Sequence, residues 1–186
     1  MKKVDIIHGG WLKAPNGASS VLRTLAESTS KFEEYGIQLS VYSMDLIVLK
    51  SFENIAAINQ RKGLRYFIKK NANANSILAF ISIYAIYLRH ARKIVKYYFD
   101  QGLEESRILF IHDIFTCYYY LKYRSRRQKT VLVLHNNGDT FNMLRQYYPV
   151  LNKSRLYSIL LYIERKVLSE VDKVCLLYTS PSPRDS

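Results

Sequence analysis

The chain has little cysteine, no long hydrophobic run and comparatively few acidic residues, and each shortage removes a class of protein. Two cysteines, Cys117 and Cys175, cannot build a disulfide framework, so the compartment expected is a reducing cytoplasm. The most apolar stretch, Ser76 to Leu88, runs about thirteen residues where a bilayer span takes about 20, so a buried or membrane-facing helix is expected there. Met1-Lys2-Lys3 is basic like the start of a signal peptide. Asp5 then interrupts the apolar stretch and Gly9-Gly10 ends it, so the N-terminus reads as a first strand. No Gly-x-Gly-x-x-Gly follows that strand and no acidic residue closes the second, which disfavours a dinucleotide-binding oxidoreductase. The four histidines and the cysteines show no zinc spacing, and no metal is expected.

What the chain does have is positive charge: 28 Lys and Arg against 15 Asp and Glu, a formal +13 over 186 residues. These cations are spread through residues 61 to 70, 89 to 96, 122 to 129 and 153 to 166, which gives several basic faces instead of one basic tail. Such a balance suits nucleic acid, an acidic membrane surface or phosphate-bearing metabolites. Arg61 to Lys70 and Arg89 to Lys96 suit a membrane surface or an anionic acceptor, or are simply solvated helix faces. With 48% hydrophobic residues the chain can enclose one substantial core, so a single domain is the default.

Strand and helix patterns alternate along the sequence. Lys3 to Ile7 reads as a strand feeding His8-Gly9-Gly10 and then Pro15-Asn16-Gly17-Ala18-Ser19-Ser20, a turn that opens into an amphipathic helix capped by Ser19 or Ser20. Glycine allows close backbone approach, and the first helical N–H groups are unpaired, so this turn is a candidate anion site. Gly36 stops that helix, and Ile37, Leu39 and Val41 alternate with polar residues as a second strand. Residues 44 to 75 are harder to read. A long helix from a cap at Ser76 to about Phe99, a strand at Ile108 to Ile111, a tyrosine-rich helix, an interior strand at Thr130 to Leu134, a helix over Arg155 to Leu168 and a strand opening at Val171 follow. The expected fold class is therefore α/β, a doubly wound Rossmann-like parallel sheet with right-handed crossovers, whose ligands sit at the carboxyl ends of the strands. Gly9, His112 and His135 all fall at such ends.

The final stretch, Cys175 to Asp185, resembles codon for codon a translated adapter of the kind used in sequencing libraries. Residues 175–186 are accordingly expected to be a non-native tail, with the domain occupying residues 1–174 and interrupted at its C-terminal end.

Asn16-Gly17-Ala18-Ser19 before a helix carrying Leu25-Ala26, strands ending Phe110-Ile111-His112-Asp113 and Val133-Leu134-His135, and Glu164-Arg165 ahead of Val171-Asp172-Lys173-Val174 form an ordered set. In order and spacing it resembles the N-terminal, acceptor-side half of GT-B glycosyltransferases of the family 4 type. The resemblance implies a retaining enzyme that moves a sugar from a nucleotide-diphosphate-sugar to a glycan or lipid-linked acceptor in surface polysaccharide assembly. It needs no cofactor beyond that co-substrate. The donor-binding domain would be a second lobe, so residues 1–174 alone are expected to be inactive. The resemblance implies that Gly17 and Ala18 offer backbone N–H groups to the donor diphosphate and that His135 faces the transferred sugar. The sugar-facing or acceptor-facing candidates are His8, Gly9, His112, Asp113 and Asn136. The turn departs from the glycine pair of many relatives, which bears on how closely a ligand approaches. A cytoplasmic location, peripheral at the inner face of the cell membrane, and no nucleic-acid partner go with this reading.

Plainer readings stand beside these. His135 can be a strand-end histidine satisfied by backbone. His112 and Asp113, adjacent on a strand, point to opposite faces and cannot form a direct dyad. His90 reads as solvated surface. Tyr97-Tyr98 and Tyr118 to Tyr123 can stack sugars or bases, or fill core and half-buried surface. For the whole chain the alternative is a basic, non-enzymatic module binding nucleic acid or a membrane surface.

Overall fold

The computed structural model describes residues 1–15, 17–49, 71–102, 107–124, 128–135 and 140–177. Asn16, Asn136, the basic stretch Arg61 to Lys70 and the tail beyond residue 177 lie outside the described residues.

Five strands pair in parallel in the order β2-β1-β3-β4-β5, with β1 at Lys2–Ile7, β2 at Ile37–Tyr42, β3 at Ile108–Ile111, β4 at Thr130–Leu134 and β5 at Lys173–Leu176. The chain leaves β1 for β2 on one side and then reverses to build β3, β4 and β5 on the other. The fold is therefore Rossmann-like α/β, with its topological switch point between β1 and β3. Helices α1 (Gly17–Glu27) and α2 (Thr29–Glu34) join β1 to β2, followed by α3 (Met44–Leu49). The crossover to β3 carries α4 (Ser76–Ile83), a π-helical turn (Tyr84–Leu88) and α5 (Arg89–Asp100), and α6 (Ile114–Tyr123) joins β3 to β4. The last crossover holds α7 (Asn142–Tyr147), a 3₁₀ turn (Pro149–Lys153) and α8 (Tyr157–Glu170).

Beta-branched and leucine side chains with period two make these strands, and burial on a helix-covered face makes them permanent. Leu109 and Ile111 of β3 and Leu132 and Leu134 of β4 share the cluster that α5, α6 and α8 close with Val95, Tyr98, Tyr120, Leu160 and Val167. Each such buried aliphatic side chain contributes about 1.5–3 kcal/mol. The tyrosine run divides as its plainer reading allows: Tyr119 and Tyr120 are core, while Tyr123 is exposed.

Several sequence expectations shift. Ser19 is no cap: α1 begins at Gly17, and the buried Ser19 Oγ donates to the Trp11 carbonyl at 2.8 Å. The single helix expected up to Tyr35 is broken at Ser28, although Gly36, at φ +71°, does end it. The cap ahead of α4 is Asn75 instead of Ser76, its side chain accepting from the N–H groups of Ile77 and Leu78. The last helix lies two residues later than its periodicity placed it. Cys175 and Leu176, assigned from sequence to the tail, extend β5 against Val133 and Leu134.

The π turn explains how two unlike helices share one core face. Ala79 and Ile83 are buried on α4, Leu88 at the end of the π turn, and Ala91, Val95 and Tyr98 on α5. A continuous α-helix would rotate the second set away from the first by about 100°, one residue's turn. The π turn absorbs that extra residue, so Ile83 and Leu88, five apart, point the same way.

Candidate functional site

Parallel strands deliver their carboxyl ends to one edge, and β1, β3 and β4 are consecutive neighbours there. At a strand spacing of about 4.8 Å the ends of β1 and β4 lie about 10 Å apart. His8 and Gly9 leave β1, His112 and Asp113 leave β3, and His135 leaves β4, so five of the sequence candidates meet at this edge.

Asp113 organises the edge. Its extended backbone makes it the N-cap of α6: Oδ1 accepts from the Thr116 N–H at 2.7 Å and Oδ2 from the Thr116 hydroxyl at 2.7 Å. Oδ2 also accepts from the Gly9 N–H at 2.9 Å, which ties the loop after β1 to the start of α6. That loop packs so closely that a Cβ on Gly9 would stand 2.5 Å from Thr116 Oγ1 and 3.1 Å from Asp113 Oδ2. Glycine at position 9 is thus a packing requirement. Farther along, Asp45 Oδ2 accepts from the Leu12 N–H and the Ser43 hydroxyl, pinning the loop to the end of β2.

His112 and His135 are joined by a hydrogen bond between Nδ1 of the first and Nε2 of the second, 2.8 Å long. One ring donates and the other accepts, so Nδ1 is left as the second polar atom of His135. His112 is buried, and burial first, then the neighbouring His135 and His8, pushes its pKa down to about 3. Burial also lowers His135, with His8 adding to the effect. For His8, burial outweighs the attraction of Asp113 and Asp45, and the net shift is again downward. The 3.9 Å approach of His8 Nδ1 to Asp113 is therefore no ion pair at neutral pH. That Nδ1 is buried with no hydrogen-bond partner, an uncompensated polar atom at this edge.

Gly17 and Ala18 stand at the first turn of α1, the helix that follows β1 from this edge. A Cβ on Gly17 would have nothing within 4 Å, so a side chain at this position would meet open space. The eleven-residue α1 starts here with its positive dipole end, and Ser19 anchors the turn through Trp11. His112 and Asp113 form no dyad with each other; each turns to a different neighbour, as strand alternation requires. His90 is half-buried and meets the Trp11 ring edge-on at 6.1 Å, which sets it apart from a solvated position.

Sequence reasoning did not foresee Asp113 as a clasp. The spacing Asp113-x-x-Thr116 is a cap signature that points to it. The His112–His135 bond carries no such local signal. Among the described residues no group of three or more His, Cys, Asp or Glu side chains is arranged to hold a metal ion. Cys117 is buried in the core, where burial drives its thiol pKa upward and leaves it inert. Set against protein-family models, curated proteins and solved structures, the chain matches none.

Proposed function

We propose that the chain is the acceptor-side lobe of a retaining sugar transferase, with a nucleotide-diphosphate-sugar as donor and a glycan or lipid-linked molecule as acceptor. The observation that carries this reading is the pairing of two neutral histidines, His112 and His135, at the carboxyl edge that also presents the N-terminus of α1. Breaking a sugar-phosphate bond puts negative charge on the leaving diphosphate. Backbone N–H groups at Gly17 and Ala18 would stabilise that charge with no reorganisation, a contribution of about 10²–10³ in rate per donor at comparable oxyanion sites. A neutral His135 suits a hydrogen bond to a sugar hydroxyl better than it suits proton removal, since its depressed pKa makes it a weak base. The donor's remaining contacts belong to a second α/β domain in this reading.

The test joins the chain to the downstream sequence of its uninterrupted gene and measures sugar transfer. A second α/β domain and turnover that falls about a hundredfold in His135→Ala, with melting unchanged, support the reading. A stop codon soon after Val174, or His135→Ala at the parental rate, removes it. Residues 1–174 alone should show no turnover.

A further inference from the structure

The outer side of the α4, π turn and α5 rod is unlike the solvent side of an ordinary helix. Ile77, Ile81 and Tyr84 stand at i, i+4 and i+7 and are 62%, 40% and 47% exposed, with Ile86 beside them in the π turn at 47%. Five residues past Tyr84, one π turn on, the same line continues as Arg89, Arg92, Lys93 and Lys96 at i, i+3, i+4 and i+7, all exposed. The turn that aligns the two buried stripes thus also aligns the two exposed ones. The face is apolar in its first half and basic in its second, over about 28 Å of helix, with exposed Asp100 closing the line four residues past Lys96.

Scattered exposed aliphatic side chains need no explanation, but a contiguous apolar patch rimmed by like charge does. A solvated helix face would mix charges of both signs along its length; here four cations precede the one acidic residue on the line, Asp100, the last of α5. A protein groove would fit the isoleucines and leave four cations to be matched one by one. An anionic lipid surface matches both halves at once, apolar groups entering the acyl boundary and cations resting among headgroups. Tyrosine, with its apolar ring and polar tip, suits the boundary between them. Tyr84 and Arg92 are close enough to Tyr119 of α6 to act on its hydroxyl, so a tyrosine cluster that includes exposed Tyr123 adjoins the face. No helix among the described residues is long and apolar enough to cross a membrane, so the contact is with the surface.

We propose that the outer face of this rod docks the protein on an anionic lipid surface, with Ile77, Ile81, Tyr84 and Ile86 inserted and Arg89, Arg92, Lys93 and Lys96 on the headgroups. The inference is independent of sugar transfer and stands or falls by itself.

The experiment sediments the 186-residue chain with vesicles of phosphatidylcholine, with and without phosphatidylglycerol. Binding is expected only with phosphatidylglycerol. Arg89→Glu/Arg92→Glu/Lys93→Glu should weaken it by about a hundredfold or more. Ile77→Ser/Ile81→Ser should keep the low-salt binding and lose what survives raised salt, where screening leaves only insertion. Tyr84→Ser alone, a milder change, should move the same way, and Lys129→Glu/Lys153→Glu, on other exposed positions, should bind as the parent does. Circular dichroism checks that each variant is folded. Failure of the parent to bind anionic vesicles, or equal binding by the face variants, overturns the proposal. So does an RNA oligonucleotide that displaces the vesicles and depends on the basic half alone, or an apolar-half variant that changes only the oligomeric state.

Discussion

Two buried polar clusters hang from the same strand, three residues apart, and they are built on opposite terms. Asp5, fully buried on β1, accepts from the Tyr98 hydroxyl at 2.9 Å and from Arg107 Nη1 at 2.6 Å. Charge meets charge there, and the cluster joins β1 to the end of α5 and to the residue before β3. Burial, with the Asp5 charge behind it, drives the Tyr98 pKa upward, so the phenol stays a donor. His8, at the end of that strand, belongs to a cluster whose three rings are held neutral by burial, with one buried nitrogen unpartnered. The first cluster ties β1 to α5 and to the start of β3 through the Asp5 carboxylate. In the proposed function the second cluster, at the sheet's carboxyl edge, meets the ligand.

The contrast can be broken by substitution. Removing one side of the first cluster, Asp5→Ala, leaves Arg107 and Tyr98 without their shared acceptor and should cost about 3–5 kcal/mol by chemical denaturation. A loss below about 1 kcal/mol would mean that the charge pair is idle. The second cluster should respond to pH instead. Each of the three histidines has a folded pKa below 6.5, so the unfolded chain binds more protons as the medium acidifies. Its stability is whole above pH 6.5 and declines below it, for His112 down to about 3. Between pH 6.5 and about 5 that one ring accounts for about 2 kcal/mol, and His112→Gln should flatten the slope. Gly9→Ala, which drives a methyl into Thr116, should destabilise by about 1–3 kcal/mol, and Gly9→Ala/Thr116→Ala should recover part of it. Asn75→Ala, which removes the cap of α4, should cost about 1 kcal/mol. Gly17→Ala, facing open space, should change melting by less than about 0.5 kcal/mol.

Much of this scaffold was legible because its signals are local. Ile108 to Ile111 and Thr130 to Leu134 are strands with the bounds their patterns give, and the helix before β2 ends at Gly36. The set of strand ends followed from alternation alone. What sequence could not show depends on contacts between distant residues. His112 and His135 are separated by 23 positions and Gly9 and Asp113 by 104, so no periodicity links them. Asn75 takes the cap because α4 already begins at Ser76, and the extended residue ahead of it is the one whose side chain meets the Ile77 and Leu78 amides. The π turn was hidden for another reason: Ser76 to Leu88 is apolar on every side, and a slip of one residue leaves no gap in such a pattern.

The claim at the centre of this account is that the neutral histidine edge, and not the charged cluster beside it, receives the ligand. Titrating the chain with uridine diphosphate while following imidazole and amide nuclear resonances tests it directly. The account predicts saturable shifts at His112, His135 and the amides of Gly17 and Ala18, with Asp5 and Tyr98 unmoved. Shifts centred on Asp5 and Tyr98, or none at either histidine, would contradict it.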